Sequence, residues 1–101
     1  MGFAGDAEQR YRHLFDRHGR EVFAYCRRRA DPDTAADCAA ETFLVAWRRL
    51  DDVPDGDPAL GWLYGVARRV LANEHRRNRR WWRLVGRLPK HPPQTPATDQ
   101  P

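Results

Sequence analysis

Ten side chains between Trp62 and Trp82 carry two kinds of chemistry: Trp62, Tyr64, Arg68, Arg69, Asn73, Arg76, Arg77, Arg80, Trp81 and Trp82. Guanidinium groups neutralise phosphates and release their counterions. Aromatic faces stack on unpaired bases, at roughly 1–3 kcal/mol each. A duplex hides its base faces, so this mixture is useful where strands separate. Trp62 serves equally well as a core residue. Trp81 and Trp82 are adjacent and cannot share one helix face, so at least one is expected to pack back on the rest of the molecule.

Two further patterns precede that segment. Asp37 and Glu41 are four apart, as on one helix face, and Ala36 and Ala40 stand beside them. Small side chains let another helix come close, and carboxylates then pair with its basic residues. Such a stripe is ordinarily a solvated face. Between the two segments lies the acidic stretch Asp51 to Asp57, DDVPDGD, a loop by composition. A loop in this place can form a pocket for one flipped base. Four aspartates repel phosphate, so bases rather than backbone have to face it.

Other chemistry finds no support. There is no Gly-rich phosphate loop, no nucleophile elbow and no HExxH, and the loop aspartates lack EF-hand spacing and its closing Glu. Cys26 and Cys38 are twelve apart, and the four histidines are scattered. That is no zinc pattern, and two reduced core residues are expected. No enzyme, cofactor or metal is expected.

The elements that must hold these groups read as helices throughout. Ala7, Tyr11, Leu14 and Phe15 give a helical period over residues 6–18, and His18-Gly19 predicts a break or kink. Helix resumes at Arg20 with Val22, Phe23, Tyr25 and Cys26, and ends near Ala30. Asp31-Pro32-Asp33-Thr34 is a turn and helix start. A third helix to about Leu50 has the apolar stripe Ala36, Ala39, Ala40, Phe43, Ala46, Trp47 and Leu50, with Asp33, Asp37, Glu41 and Arg48 opposite. Asp57 and Pro58 suit the cap and first position of a fourth, with Leu63, Val66, Ala67, Val70 and Leu71 inward, continuing to about Leu88. The expectation is an all-α protein: a compact bundle of three to four helices over residues 1–88. Residues 89–101, with five prolines, read as a flexible, disordered linker or tail.

The totals agree. One hundred and one residues make one domain with a modest core, and 32% charged against 41% hydrophobic suits a helical protein with a polar surface. No apolar run nears the roughly 20 residues of a membrane span. The start MGFAGDAEQR carries no secretion signal. A cytoplasmic protein without membrane contact is expected. The net charge of +4 is unevenly placed. From Arg68 to Lys90 nine bases meet one acid, Glu74, a balance of +8; the rest holds nine bases and thirteen acids. An acidic body and a basic end suggest two surfaces for two partners, one of them nucleic acid.

The order of these features resembles a known family. DTAADCAAETFLVAWRRLDD followed by GWLYGVARRVLANEHRR is similar to the second region of bacterial sigma-70 family factors, of the extracytoplasmic-function (ECF) group, and HLFDRHGREVFAYCRRR to the start of that domain. The likeness covers about residues 8–88. It rests on the combination of D-x3-ETF-x3-AW, the acidic loop, WLY-x2-AR and RR-x-RR. It implies a domain of an RNA polymerase sigma factor, with the helix of Ala36, Asp37, Ala40, Glu41 and Arg48 docking on the clamp helices of the polymerase β′ subunit. It implies that the following loop and helix recognise the −10 promoter element and help melt it. By position, Asp52, Val53, Pro54, Asp55 and Gly56 lie in the base-capturing loop, which runs to Gly61. Trp62, Arg68, Arg69, Asn73, Arg76, Arg77 and Arg80 then face the nontemplate strand. An anti-sigma factor is a further implied partner, and a monomer is expected when free.

The chain departs from the family pattern in three places. Ala40 stands where the family often has Gln, and Arg69 where many members have Asn. Nothing after Leu88 reads as the second, helix-turn-helix domain of a complete ECF factor, so a domain fragment is expected. The alternative is a regulatory module that binds polymerase or an anti-sigma protein without recognising a promoter. A basic helical protein that binds any strand equally is a third.

Overall fold

The computed structural model describes residues 3–86. The expected tail, with Arg87, Leu88 and Lys90, lies outside the described residues. Three helices form the fold: α1 (Phe3–Arg27), α2 (Pro32–Arg48) and α3 (Pro58–Val85), with one 3₁₀ turn at Leu50–Asp52. No strand occurs among the described residues. The all-α expectation holds, at the lower helix count.

The count falls because α1 runs straight through His18-Gly19, where a break was expected. Glycine in a helix interior costs about 1 kcal/mol against alanine. That is small beside the burial it interrupts: His18, Val22 and Cys26, spaced by four, are all buried. The Phe15 ring lies 3.6 Å from where a Gly19 Cβ would stand, and meets Phe43 edge-on at 5.0 Å.

Asp31 starts α2. Its carboxylate accepts from the Thr34 amide at 3.2 Å, and Pro32 occupies the first turn. The α-helix ends at Arg48, before Leu50, because Arg49 leaves helical geometry (φ −117°, ψ 36°) and the chain tightens into the 3₁₀ turn. Asp51 and Asp52, expected in loop, belong to that turn. The remaining loop turns at Gly56, whose φ of +72° is left-handed and suits glycine. Asp57 sits at the start of α3 with no side-chain cap, contrary to expectation, because its own backbone is already helical. Its carboxylate lies instead 3.4 Å from Arg17.

Two core clusters lie between the helices. One joins Val22, Phe43, Ala46, Leu50, Val53, Ala59 and Leu63. The other joins Cys26, Ala35, Cys38, Ala67 and Leu71. Leu63 is wholly buried, which stabilises the fold by roughly 1.5–3 kcal/mol. Both cysteines are free and buried, and burial raises both thiol pKa values, that of Cys38 to about 11. Several residues of the expected stripes face outward: Phe15, Phe23 and Trp47 are 51%, 39% and 42% exposed, and Ala36 and Ala40 are exposed. Along α3 every residue from His75 to Trp81 is exposed. No helix packed in a bundle shows seven such residues in a row, so α3 has left the bundle by its sixth turn.

Candidate docking face and nucleic-acid interface

The α2 residues singled out by sequence share one surface. Ala36, Asp37, Ala40, Glu41 and Arg48 are all exposed. None of the three charged ones joins an ion pair among the described residues. Leu44, 44% exposed, completes this face, and sequence reasoning passed over it. The signal was there, four residues after Ala40 and three after Glu41. Trp47 borders the same face. Its ring meets Tyr11 edge-on at 5.1 Å, and the Tyr11 hydroxyl donates to the Phe43 carbonyl at 3.1 Å. Thus Trp47 is anchored on one side and open on the other.

On α3, Arg68, Arg69, Asn73, Arg76, Arg77 and Arg80 are exposed. At about 100° per residue, Trp62, Arg69, Asn73, Arg76 and Arg80 fall within about 60° of one another. Arg77 sits at the margin of that stripe, and Arg68 points roughly 120° away. The structure therefore gathers most of the expected strand-facing set and leaves Arg68 apart. Arg76 donates to Asn73 Oδ1, and Arg77 pairs with Glu74 at 2.6 Å. Exposed pairs one turn apart are weak, about 0–1 kcal/mol, so both guanidinium groups are readily surrendered to a phosphate. The two tryptophans near the end divide, Trp81 being 56% exposed and Trp82 half-buried.

Two aromatics of the α3 segment are engaged elsewhere. Trp62 is half-buried against the first core cluster, and the Arg49 guanidinium lies over its ring at 5.6 Å. Tyr64 stacks on Tyr25 at 4.8 Å, and the Arg29 guanidinium lies over the Tyr25 ring at 3.7 Å. The sequence counted Tyr64 with the base-stacking aromatics; its ring face is already covered by Tyr25.

The two surfaces are not separate. A groove of about 650 Å³ runs between α2 and α3, with Asp37, Glu41 and Arg49 on one bank and Arg69, Asn73 and Arg77 on the other. The carboxylates expected to dock and the arginines expected to face a strand thus share an edge, which no local pattern announced.

The loop is tied to α1. Arg10 donates to the Leu50 and Val53 carbonyls, both at 2.7 Å, and pairs with Asp55 at 3.0 Å. Arg17 reaches Asp57, and Arg49 pairs with Asp52 at 3.2 Å. Three of the four loop aspartates therefore face an arginine, and the repulsion they exert on phosphate is reduced. Val53 is 3% exposed and serves as the loop's anchor in the core, while Asp52, Asp55 and Gly56 are exposed and Pro54 is half-buried. Arg10 and Arg17 lay beyond sequence reasoning. Their partners are some 40 residues on.

Among the described residues no helix is long and apolar enough to cross a membrane, and no three His, Cys, Asp or Glu are grouped as metal ligands. Among known proteins, the Sigma-70 region 2 family matches residues 14–81. The curated protein "ECF RNA polymerase sigma factor SigL" of Mycobacterium tuberculosis, from each of three strains, is 36% identical over 77 residues. That alignment takes in 74% of this chain and 43% of the relative, so the chain spans less than half the length of the relatives it matches. No solved structure matches it. The exposed α2 face and the arginines of α3 from Arg68 to Arg80 sit within the matched stretch, and the chain belongs to the Sigma-70 region 2 family, as a region 2 domain of the ECF sigma factor kind.

Proposed function

We propose that the chain docks through α2 on the β′ clamp helices of core RNA polymerase and, through the loop and α3, recognises and helps melt the −10 promoter element. In this role catalysis belongs to the polymerase. The domain binds the unpaired nontemplate strand better than the duplex, and that differential affinity shifts the equilibrium toward the open strands. Ala36, Ala40 and Leu44 offer close approach for a partner helix, and Asp37 and Glu41 offer charge to its basic residues. Arg69, Arg76, Arg77 and Arg80 hold the strand's phosphates.

The observation that carries this reading is the shared groove. The unpaired carboxylates of α2 border the arginines of α3, which supports two binding surfaces that adjoin. Binding of the purified chain to core RNA polymerase tests it. Wild type is expected to bind, and Glu41→Arg or Asp37→Arg to weaken binding at least tenfold, since a like charge in an interface costs several kcal/mol. Normal binding by both variants removes the docking assignment.

A further inference from the structure

Trp62 opens the stripe that Arg69, Asn73, Arg76 and Arg80 continue along α3, yet its ring is not free to turn. It packs on the first core cluster, and the Arg49 guanidinium lies over it at 5.6 Å, within the roughly 6 Å of a cation–π contact. The residue is only half-buried, so part of the indole stays open to solvent.

Arg49 is held in its turn. Its amide closes α2 by donating to the Val45 carbonyl at 2.9 Å, and its carbonyl accepts from the Asp52 amide at 2.8 Å. A 3₁₀ turn brings side chains three apart to one side, and here Arg49 Nε donates to Asp52 Oδ2 at 3.2 Å. Arg48 stays on the outer face of α2, while Arg49, which has left helical geometry, lines the groove against α3. A chain of contacts from Asp52 through Arg49 to Trp62 thus joins the 3₁₀ turn to the start of the stripe. Arginine suits this place, because its planar fork lies on an aromatic ring while still holding a carboxylate. The pair with Asp52 is neutral as a whole, so attraction for phosphate is not what it adds. An exposed pair also adds little to stability. What it supplies is order: an indole already fixed loses no rotational freedom when a ligand arrives.

We infer that Arg49, braced by Asp52, is the positioning residue for Trp62 in strand binding, and fixes the indole so that one unpaired base stacks on its open part. This rests on the strand-binding role proposed above. It adds to that role a residue at the end of α2, which belongs neither to the expected docking set nor to the strand-facing stripe of α3.

The test compares hexadeoxythymidine with an abasic hexamer of the same phosphate backbone, each titrated into the whole chain. Wild type is expected to bind the base-bearing strand about tenfold more tightly, near the worth of one stacked base. Arg49→Met is expected to lower that ratio roughly two- to tenfold, the range for ordering one side chain on binding. Both strands feel the lost charge, so the ratio reports the ring. Arg49→Lys keeps a cation but loses the planar fork, and a smaller fall is expected. In a Trp62→Leu chain, which keeps apolar packing without the aromatic face, Arg49→Met is expected to change the ratio no further.

An unchanged ratio in Arg49→Met, whatever its melting temperature, overturns the inference; weaker binding of both strands would then make Arg49 a phosphate contact. A ratio that falls as far again in the Trp62→Leu chain also overturns it, since Arg49 then acts on the strand by itself. Equal binding of the two strands by wild type means that no base stacks on Trp62, and the inference falls while phosphate binding stands. If neither strand is bound, the strand-binding role is lost and this inference with it. Should Arg49→Met not fold, Arg49→Lys carries the test, and an unchanged ratio there overturns the inference.

Discussion

Asp31 shows how one side chain sets a boundary. Its carboxylate takes the Thr34 amide at the start of α2, and bonding by Thr34, through its side chain first and then its amide, holds its pKa below the usual 3.8. Asp31→Ala is expected to cost about 1 kcal/mol, as the removal of a helix cap does. Thermal melts should show this as a drop of about 4–8 °C in a domain of this size. The folded-state pKa is depressed, so the contribution is complete above pH 3.8 and fades as pH falls through the folded value. The difference between wild type and variant should therefore shrink in melts below that pH. The arginines of α3 act differently, through net charge. Replacing Arg76 and Arg77 by alanine should weaken binding to single-stranded DNA and lower the slope of log K against log salt by about 1.4, near 0.7 for each phosphate no longer neutralised. An unchanged slope removes their phosphate role.

Helix α1 is a single element because tertiary burial outweighs a local breaker. Gly19 lies between the buried His18 and Val22. A methyl group there meets only the Phe15 ring, at 3.6–3.7 Å, which is ordinary contact. Gly19→Ala should therefore stabilise the domain by roughly 0.5–1 kcal/mol, by raising helix propensity and reducing unfolded-state freedom. A lower midpoint in urea than wild type would mean that the Phe15–Gly19 packing has no slack. Helix α2 has two exposed apolar side chains, Leu44 and Trp47, on or beside its acidic face. In the docking role proposed above, both side chains would meet the partner helix. Helix α3 is shared between two environments. Its first half supplies Ala59, Leu63, Val66, Ala67 and Leu71 to the core, and the stretch from His75 to Trp81 is exposed, with its arginines outward.

In the whole molecule, both thiols are enclosed between the helices in the second core cluster, and burial raises their pKa values. A thiol-reactive disulfide reagent at pH 7.5 is expected to find almost no reactive group in the folded chain. It should find two on addition of denaturant, matching the two cysteines. Fast labelling of either in the native state would show that α1 and α2 part near Cys26 and Cys38. The same packing brings the acidic face of α2 and the arginines of α3 to the two banks of one groove.

Much of this could be read along the chain. Helical period is local, and the apolar side chains of α3 declared its inward face without reference to any neighbour. The helix start within Asp31-Pro32-Asp33-Thr34 and the run of arginines after Arg68 were local signals too. The exposure of Asp37, Glu41, Arg69 and Arg76 also followed from spacing, since a charged side chain on a helix leaves the apolar face in known directions. Other features depended on contacts between distant segments. The fate of Gly19 rested on how much burial flanked it. Tyr64 was removed from the strand face by Tyr25, Arg10 found its loop carbonyls some 40 residues away, and Arg68 separated from its neighbour Arg69 only by the turn of the helix. A sequence pattern fixes which face of an element turns inward; what that face, and each long polar side chain beside it, then meets is settled by the packing of elements that are remote in the chain.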